Sequence, residues 1–245
     1  MRMVLTRRNG VNHNGEGHRK RLKERFLKDG LSGFHDYEVI ELLLSLNTPR
    51  KDCKQSAKQL LRRFKTFQGV LEAPPQSLCE IDGVGPANCL GIRLIKQACD
   101  RYLQHRIIEK NVVENQSDLI EYLNHAIGFK NREVFLAVFL DAKNRVLTSE
   151  VLFKGTLTTS SVYPREVVIS ALRHNAAAVI FAHNHPSGEI DPSVSDIRIT
   201  KRLCFALKCV GILVHEHLIV GRHASYSFSA HGLISQFNRE FDRLA

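Results

Sequence analysis

A short apolar run, residues 177–182 (AAVIFA), constrains the fold of this chain more than any other segment. It lies between two longer segments with helical patterns, residues 164–175 and residues 192–211. Pro164 suits the first position of the former helix, and Gly211 suits the end of the latter. A short apolar run between two helices is typical of a strand buried in a sheet that helices cover. The run therefore predicts an α/β fold for this part of the chain.

The other segments divide the chain into an all-α half and an α/β half. Residues 133–141 and 145–155 are β-rich, and the three residues between them (AKN) are a hairpin signal. The first half instead carries helical patterns only. We predict a disordered basic lead at 1–18, an all-α domain at 19–105, a linker at 106–116 and an α/β domain at 117–245. Within the α/β domain we also predict helices at 118–128 and 232–243, and strands at 212–221 and 224–229.

The formal net charge of +10 is concentrated in the first half. Residues 1–114 carry 21 Lys and Arg against 13 Asp and Glu, whereas residues 115–245 carry 14 against 12. A basic surface binds nucleic acid by releasing counterions from phosphates, although it also serves solubility alone. The sequence has neither an apolar run of about 18 residues nor a secretory signal. Since the six cysteines contain no C-x-x-C pair, we expect reduced thiols and a cytoplasmic protein without membrane contact.

Two histidines come directly after the predicted buried strand. His183 and His185 are two residues apart, so an extended chain presents both imidazoles on one side. A helix is predicted to start at Pro192 with Asp191 as its N-cap, and Asp196 lies in its first turns. Two imidazoles and one carboxylate suit a zinc ion. Three protein ligands leave a fourth position for water, as in catalytic zinc sites.

A second H-x-H pair, His215 and His217, lies inside an apolar strand pattern. With 12 histidines in the chain, one such pair is expected by chance, and we interpret this one as structural. The first pair is far more specific, because a Ser and an Asp follow it at a fixed spacing.

The spacing H-x-H-x7-S-x2-D of His183, His185, Ser193 and Asp196 resembles the JAMM (MPN+) motif at every position. The longer segment "HNHPSGEIDPSVSDIRITKRL" resembles the bacterial RadC version of this motif, and so do the flanking segments. The resemblance covers nearly everything from Gly17 to the end. It implies an α/β JAMM domain, a mixed sheet flanked by helices and related to the cytidine-deaminase layout. It also implies one bound zinc ion, with His183, His185 and Asp196 as ligands.

JAMM enzymes use a glutamate at the start of a core strand, and Glu133 is the matching position. Its role would be to take a proton from water and return it to the leaving group. Glu150, in the next strand, and Glu166, at a helix start that favours carboxylates, are the rival candidates. For Ser193 the resemblance implies a hydroxyl that stabilises an oxyanion. The alternative is an ordinary serine in the first turn of a helix.

The segment "LCEIDGVGPANCLGIRLI" resembles a helix–hairpin–helix element. Gly83 and Gly85 permit a positive φ and would leave backbone N–H groups uncovered at a helix start, where a DNA phosphate can bind. The alternative is a tight turn without a ligand. Such hairpins often carry Lys or Arg at the helix start, where this chain has Asn88. Because the next base is Arg93, we expect only weak, sequence-independent DNA contact.

Three functions remain open at this level. The first is a zinc hydrolase acting on a protein or peptide substrate, since characterised JAMM proteases cut peptide or isopeptide bonds. The second is a non-catalytic accessory protein of DNA repair or recombination. The third is a zinc-dependent nuclease, although many nucleases use two metal ions.

Overall fold

The computed structural model describes residues 14–48, 52–155, 162–221 and 224–244. The chain forms two compact units, the N-terminal unit Met1–Gln97 and the C-terminal unit Ala98–Ala245. The division falls inside a single helix, Pro86–Ile107, so the chain passes from one unit to the other in helical conformation. None of the described helices has the length and apolarity needed to cross a membrane.

The described part of the N-terminal unit is helical, as predicted. Its core consists of fully buried side chains from five helices, among them Ile40, Leu60, Val70, Leu78 and Ile92. The helices are α1 (Asn14–Asp29), α2 (Asp36–Asn47), α3 (Lys54–Phe64), α4 (Phe67–Glu72), α5 (Pro75–Cys79) and α6 (Pro86–Ile107).

Two boundaries differ from the sequence prediction. The predicted disordered lead 1–18 overlaps α1, which begins at Asn14; residues 1–13 lie outside the described residues. The predicted linker 106–116 is packed into the C-terminal unit, because Ile107 and Val112 are buried in its core. Ile108 and Asn111 also form isolated bridges with the start of the second strand. Polar composition alone suggested a linker, but the segment buries two apolar side chains and forms bridges beside the sheet.

The C-terminal unit contains a five-stranded mixed sheet in the order β2-β1-β3-β4-β5. The third strand, β3, is antiparallel to β1 and parallel to β4. This arrangement confirms the predicted mixed sheet with flanking helices. The strands are β1 (Glu133–Leu140), β2 (Val146–Gly155), β3 (Ala178–Asn184), β4 (Leu213–Val220) and β5 (Ser225–Ser227), and the helices are α7 (Gln116–Ile127), α8 (Pro164–Arg173), α9 (Val194–Lys208) and α10 (Leu233–Asp242).

Alternation along β1 and β3 sends side chains to two separate cores, one on each face of the sheet. Phe135 and Phe181 pack among α8, α9 and α10, whereas Leu136 and Ile180 pack on the other face with α7. Because both strands are covered on both faces, they are buried along their whole length. The face that carries α9 is the one that meets the histidines at the end of β3.

A bulge in β4 determines which of its residues enters this face. The register between β3 and β4 shifts between Val179 and Ile180, which pair with Val214 and Glu216. The extra residue is His215, and after it the alternation resumes with the opposite parity. His217 is therefore buried in the α9 face, like Val214, instead of facing the other side.

Candidate metal centre

The start of β1, the end of β3 and the first turn of α9 bring four metal-binding side chains together. Each of Glu133, His183, His185 and Asp196 offers a ligand atom, and these atoms all lie within 4.8 Å of one another. His183 and Asp196 are almost completely buried, and Glu133 is 8% exposed. The sequence-predicted residues thus meet at one point, although they come from segments up to 63 positions apart in the chain.

Two imidazole nitrogens and the Asp196 carboxylate lie close together in the cluster. The Nε2 atoms of His183 and His185 are 3.1 Å apart. Asp196 Oδ1 lies 3.4 Å from Nε2 of His183, and Asp196 Oδ2 lies 3.3 Å from Nε2 of His185. A tetrahedral zinc ion at about 2.0–2.1 Å from each ligand atom keeps those atoms about 3.3–3.4 Å apart. The three observed separations are close to this spacing, so the donor set fits the ion.

The tautomer of His185 is fixed by a backbone group. Its Nδ1 lies 3.0 Å from the carbonyl oxygen of Glu189, which can only accept a hydrogen bond. His185 therefore carries a proton on Nδ1, and in its neutral form the lone pair of Nε2 points into the cluster.

Charge balance within the cluster shifts two pKa values in opposite directions. Burial acts to raise the pKa of Asp196, but the close imidazoles of His183 and His185 hold that pKa well below its usual range. The hydrogen bond to Asp196 raises the pKa of His185, against the effect of burial. Without a bound cation, the negative charge of Asp196 therefore favours a proton on His185, at the position where a metal ion would otherwise bind.

Asp196 is oriented by a capping box at the start of α9. The Ser193 hydroxyl accepts a hydrogen bond from the Asp196 N–H at 3.1 Å and donates one to its Oδ2 at 2.6 Å. The Ser193 N–H donates to the same Oδ2 at 2.8 Å. The helix begins at Val194 with Ser193 as N-cap, so the predicted start at Pro192 with Asp191 as N-cap is wrong. The reciprocal Ser193–Asp196 pair fixes a later start than the Asp-Pro signal suggested.

The Ser193 hydroxyl has only one proton, and in the structure Asp196 accepts it. The hydroxyl therefore holds a candidate ligand in place. An oxyanion-stabilising role for Ser193 would require this hydrogen bond to break, so that role stays a prediction.

Asn184, between the two histidines, connects the end of β3 to the start of β1. Its Oδ1 accepts from the Val134 N–H at 2.8 Å, and its Nδ2 donates to the carbonyl oxygens of Lys130 and Arg132 at 3.0 and 3.2 Å. These three hydrogen bonds lie on both sides of Glu133 in the chain. The buried amide therefore positions the carboxylate of Glu133 beside the histidines.

The two rival glutamates lie elsewhere. Glu150 accepts hydrogen bonds from Ser170 at 2.6 Å and Arg173 at 2.8 Å, which hold its pKa low. Glu166 is exposed and pairs with the neighbouring Arg165. Only Glu133 of the three belongs to the cluster, because it alone begins the strand that pairs with the end of β3.

Sequence reasoning missed two residues behind the cluster, His217 and Thr200. His217 Nε2 lies 2.8 Å from Nδ1 of His183, and its Nδ1 lies 2.7 Å from the Thr200 hydroxyl. Complete burial lowers the pKa of His217 well below its usual value. The i+4 spacing of Thr200 from Asp196 was a usable signal. The position of His217 was not, because the bulge that turns it towards His183 has no mark in the sequence.

His215, the other member of this H-x-H pair, lies on the opposite face of the sheet. Its Nε2 is 2.7 Å from the Asn144 side-chain oxygen, and it lines a pocket of about 570 Å³ together with Glu216 and Ser227. The two histidines therefore do not act as a pair.

In the predicted helix–hairpin–helix turn, Gly83 has φ = 80°, as a tight turn there requires. The N–H of Gly85, however, is not uncovered, because it donates to the side chain of Asn88 at 3.1 Å. Asn88 is buried and also donates to Leu44 and Thr48, which explains why a polar residue takes the place of a base here. Arg93 is exposed on α6.

Comparison with known families agrees with this architecture. Residues 113–233 match a RadC-like JAB domain, and residues 17–90 match the UPF0758 N-terminal family. The fold and cluster thus define a JAB-type domain related to the JAMM proteins, joined to a helical N-terminal region.

The chain belongs to the RadC family, whose curated relatives are called UPF0758 proteins. A UPF0758 protein of Nitrosospira multiformis is 40% identical over 215 residues, which cover 88% of this chain and 96% of the relative. One from Ruegeria pomeroyi is 39% identical over 217 residues, covering 89% and 97%. One from Fusobacterium nucleatum is 38% identical over 226 residues, also covering 89% and 97%.

Proposed function

We propose that this chain is a zinc-dependent hydrolase that cleaves a peptide or isopeptide bond. The observation that carries the proposal is the cluster of His183, His185 and Asp196 ligand atoms, with separations of 3.1, 3.3 and 3.4 Å and the Glu133 carboxylate beside it. Three protein ligands leave a corner of the tetrahedron for water, which distinguishes a catalytic from a structural zinc site.

Zinc bound there would supply a Lewis acid and lower the pKa of water towards about 7. Glu133 accepts the proton that this water loses as it attacks the carbonyl carbon of the substrate. The same carboxyl group then donates the proton to the nitrogen of the departing amine, so Glu133 ends the cycle ionised. Glu133 is only 8% exposed and lies beside the histidines, so its carboxylate is close to the position where this water would be held.

Substitution of Glu133 by glutamine tests this proposal. Glutamine keeps the size of the side chain but cannot accept the proton, so Glu133→Gln should retain zinc and lose at least about 100-fold in rate. Both variant and wild type would be assayed on amide and phosphodiester panels, with zinc measured by elemental analysis. Glu150→Gln is the matched control, because Glu150 has the same chemistry on the neighbouring strand but pairs with Arg173.

Three outcomes would overturn the proposal. Wild-type protein without bound zinc would remove its basis. Zinc-bound protein that turns over neither panel would favour the non-catalytic accessory function. Cleavage of phosphodiesters alone would favour the nuclease.

We also propose that the N-terminal unit contacts DNA without reading its sequence. Support comes from the basic excess of this half and from Arg63, which pairs with Glu80 at the hairpin turn and so brings the basic end of α3 next to it. Because the Gly85 N–H already donates a hydrogen bond to the Asn88 side chain, exposed side chains such as Arg62 and Arg93 would provide the phosphate contacts.

A further inference from the structure

A chain of hydrogen bonds connects the backbone of Asp196 to the ring of His183 through two residues. The Thr200 hydroxyl lies 2.5 Å from the Asp196 carbonyl oxygen and 2.7 Å from Nδ1 of His217. Nε2 of His217 lies 2.8 Å from Nδ1 of His183. The chain thus starts at one candidate ligand residue, passes behind the cluster and ends at another.

The direction of each hydrogen bond follows from the chemistry of its partners. A carbonyl oxygen can only accept, so the single proton of the Thr200 hydroxyl goes to Asp196. The hydroxyl oxygen must then accept from His217, which places a proton on Nδ1 of that ring. His217 is fully buried, and burial favours its neutral form, so its Nε2 carries a lone pair and accepts from Nδ1 of His183.

We propose that Thr200 and His217 are positioning residues that hold His183 in the tautomer with its proton on Nδ1, so that the lone pair of Nε2 is free to bind the metal ion. This inference rests on the proposed zinc site. We call the hydrogen bonds from Asp196 through Thr200 and His217 to His183 the relay. His185 does not depend on it, because the Glu189 carbonyl oxygen fixes the tautomer of His185 directly. Nδ1 of His183 instead lies 2.8 Å from Nε2 of His217, so the tautomer of His183 depends on that ring.

Three aromatic side chains pack around His217 and hold its ring in this orientation. Its ring stacks on Phe228 at 4.8 Å and meets the edges of Phe135 and Phe181 at 5.3 and 6.0 Å between centroids. With three aromatic rings against it, a rotated His217 would lose both of its hydrogen bonds. A His217 with its proton on Nε2 would instead donate to His183, which would move the His183 proton to Nε2 and block metal binding.

The matched pair Thr200→Val and Thr200→Ser tests the relay. Valine keeps the shape of threonine but removes the hydroxyl, whereas serine keeps the hydroxyl. Thr200→Val should weaken zinc binding by about 10- to 100-fold, the usual effect of removing a group that orients a metal ligand, and Thr200→Ser should stay within about threefold of wild type. Zinc affinity would be measured by competition with a chromophoric chelator, and the visible spectrum of the cobalt-substituted protein would report ligand geometry.

A second measurement does not depend on metal. Nitrogen-15 NMR of the histidine rings in the zinc-free protein should show His183 and His217 both protonated at Nδ1, with the pattern disturbed in Thr200→Val and restored in Thr200→Ser. His215→Gln is the control on the same strand, since His215 faces the opposite side of the sheet and its loss should change neither zinc affinity nor these signals.

The possible failures can be told apart. If wild-type protein binds no zinc but shows the expected tautomers, the proposed function fails and the relay stands as a structural fact. If Thr200→Val binds zinc as tightly as wild type, or if His183 carries its proton on Nε2, the relay is refuted whatever the protein hydrolyses. Loss of folding in Thr200→Val would leave the tautomers of the wild-type rings as the deciding result.

Discussion

Replacing Asn184 by alanine should have two effects: it should destabilise the C-terminal unit, and it should displace the side chain of Glu133. The buried amide makes three hydrogen bonds to the backbone on either side of Glu133. In the variant, the Val134 N–H loses its hydrogen-bond acceptor. Because Val134 is only 5% exposed, water does not replace that acceptor, and the free energy of unfolding falls by about 1–3 kcal/mol. The carbonyl groups of Lys130 and Arg132 belong to more exposed residues and can bind water, so each adds about 0.5–1 kcal/mol. We therefore expect a loss of about 2–5 kcal/mol in the free energy of unfolding.

Urea unfolding followed by circular dichroism would measure this loss, and hydrolysis of an amide substrate would measure the displacement of Glu133. The control is Asn131→Ala, an exposed asparagine in the loop before β1, which should change stability by less than about 0.5 kcal/mol. If Asn184→Ala also changed stability by less than about 0.5 kcal/mol, the amide would not hold this loop. Retention of full activity would show that Glu133 is positioned by other contacts.

Three further predictions concern the metal, the helix cap and the proposed DNA contact. Zinc affinity should fall as pH decreases through the raised pKa of His185, by about tenfold per pH unit for each proton displaced; a flat profile between pH 7 and 5 would contradict the ligand set. Ser193→Ala should lower the free energy of unfolding by about 1 kcal/mol, measured by denaturation, and should weaken zinc binding, measured by chelator competition. Ser195→Ala in the same turn is the control and should change neither quantity. Arg93→Glu should weaken binding of full-length protein to duplex DNA and lower its salt dependence, and equal binding by this variant and the Arg239→Glu control would exclude Arg93 from the contact.

Local patterns were sufficient to predict the elements that build the candidate site. The apolar run before His183 predicted β3, the AKN turn predicted the β1–β2 hairpin, and Pro164 marked the start of α8. These features depend on short-range spacing and turn chemistry, which a single sequence displays directly. The grouping of His183, His185 and Asp196 was predicted because the spacing within one strand end and one helix start is local as well.

Features that depend on the register between strands could not be predicted in this way. His217 faces His183 only because a bulge at His215 reverses the alternation of β4, and no residue type in β4 marks that bulge. The packing of residues 106–116 against the sheet was missed for a related reason. Whether Ile107 and Val112 become buried depends on a surface formed by strands later in the chain.

The antiparallel pairing of β1 with β3 also decides when the candidate centre can exist during folding. The β1–β2 hairpin is formed by neighbouring residues and can close early, but Glu133 meets His183 only after β3, 50 positions later, has docked on the far side of β1. Asp196 arrives later still along the chain, with α9. The candidate centre is therefore complete only after α9 has packed on the assembled sheet, and zinc binding by a refolding chain would report that late step.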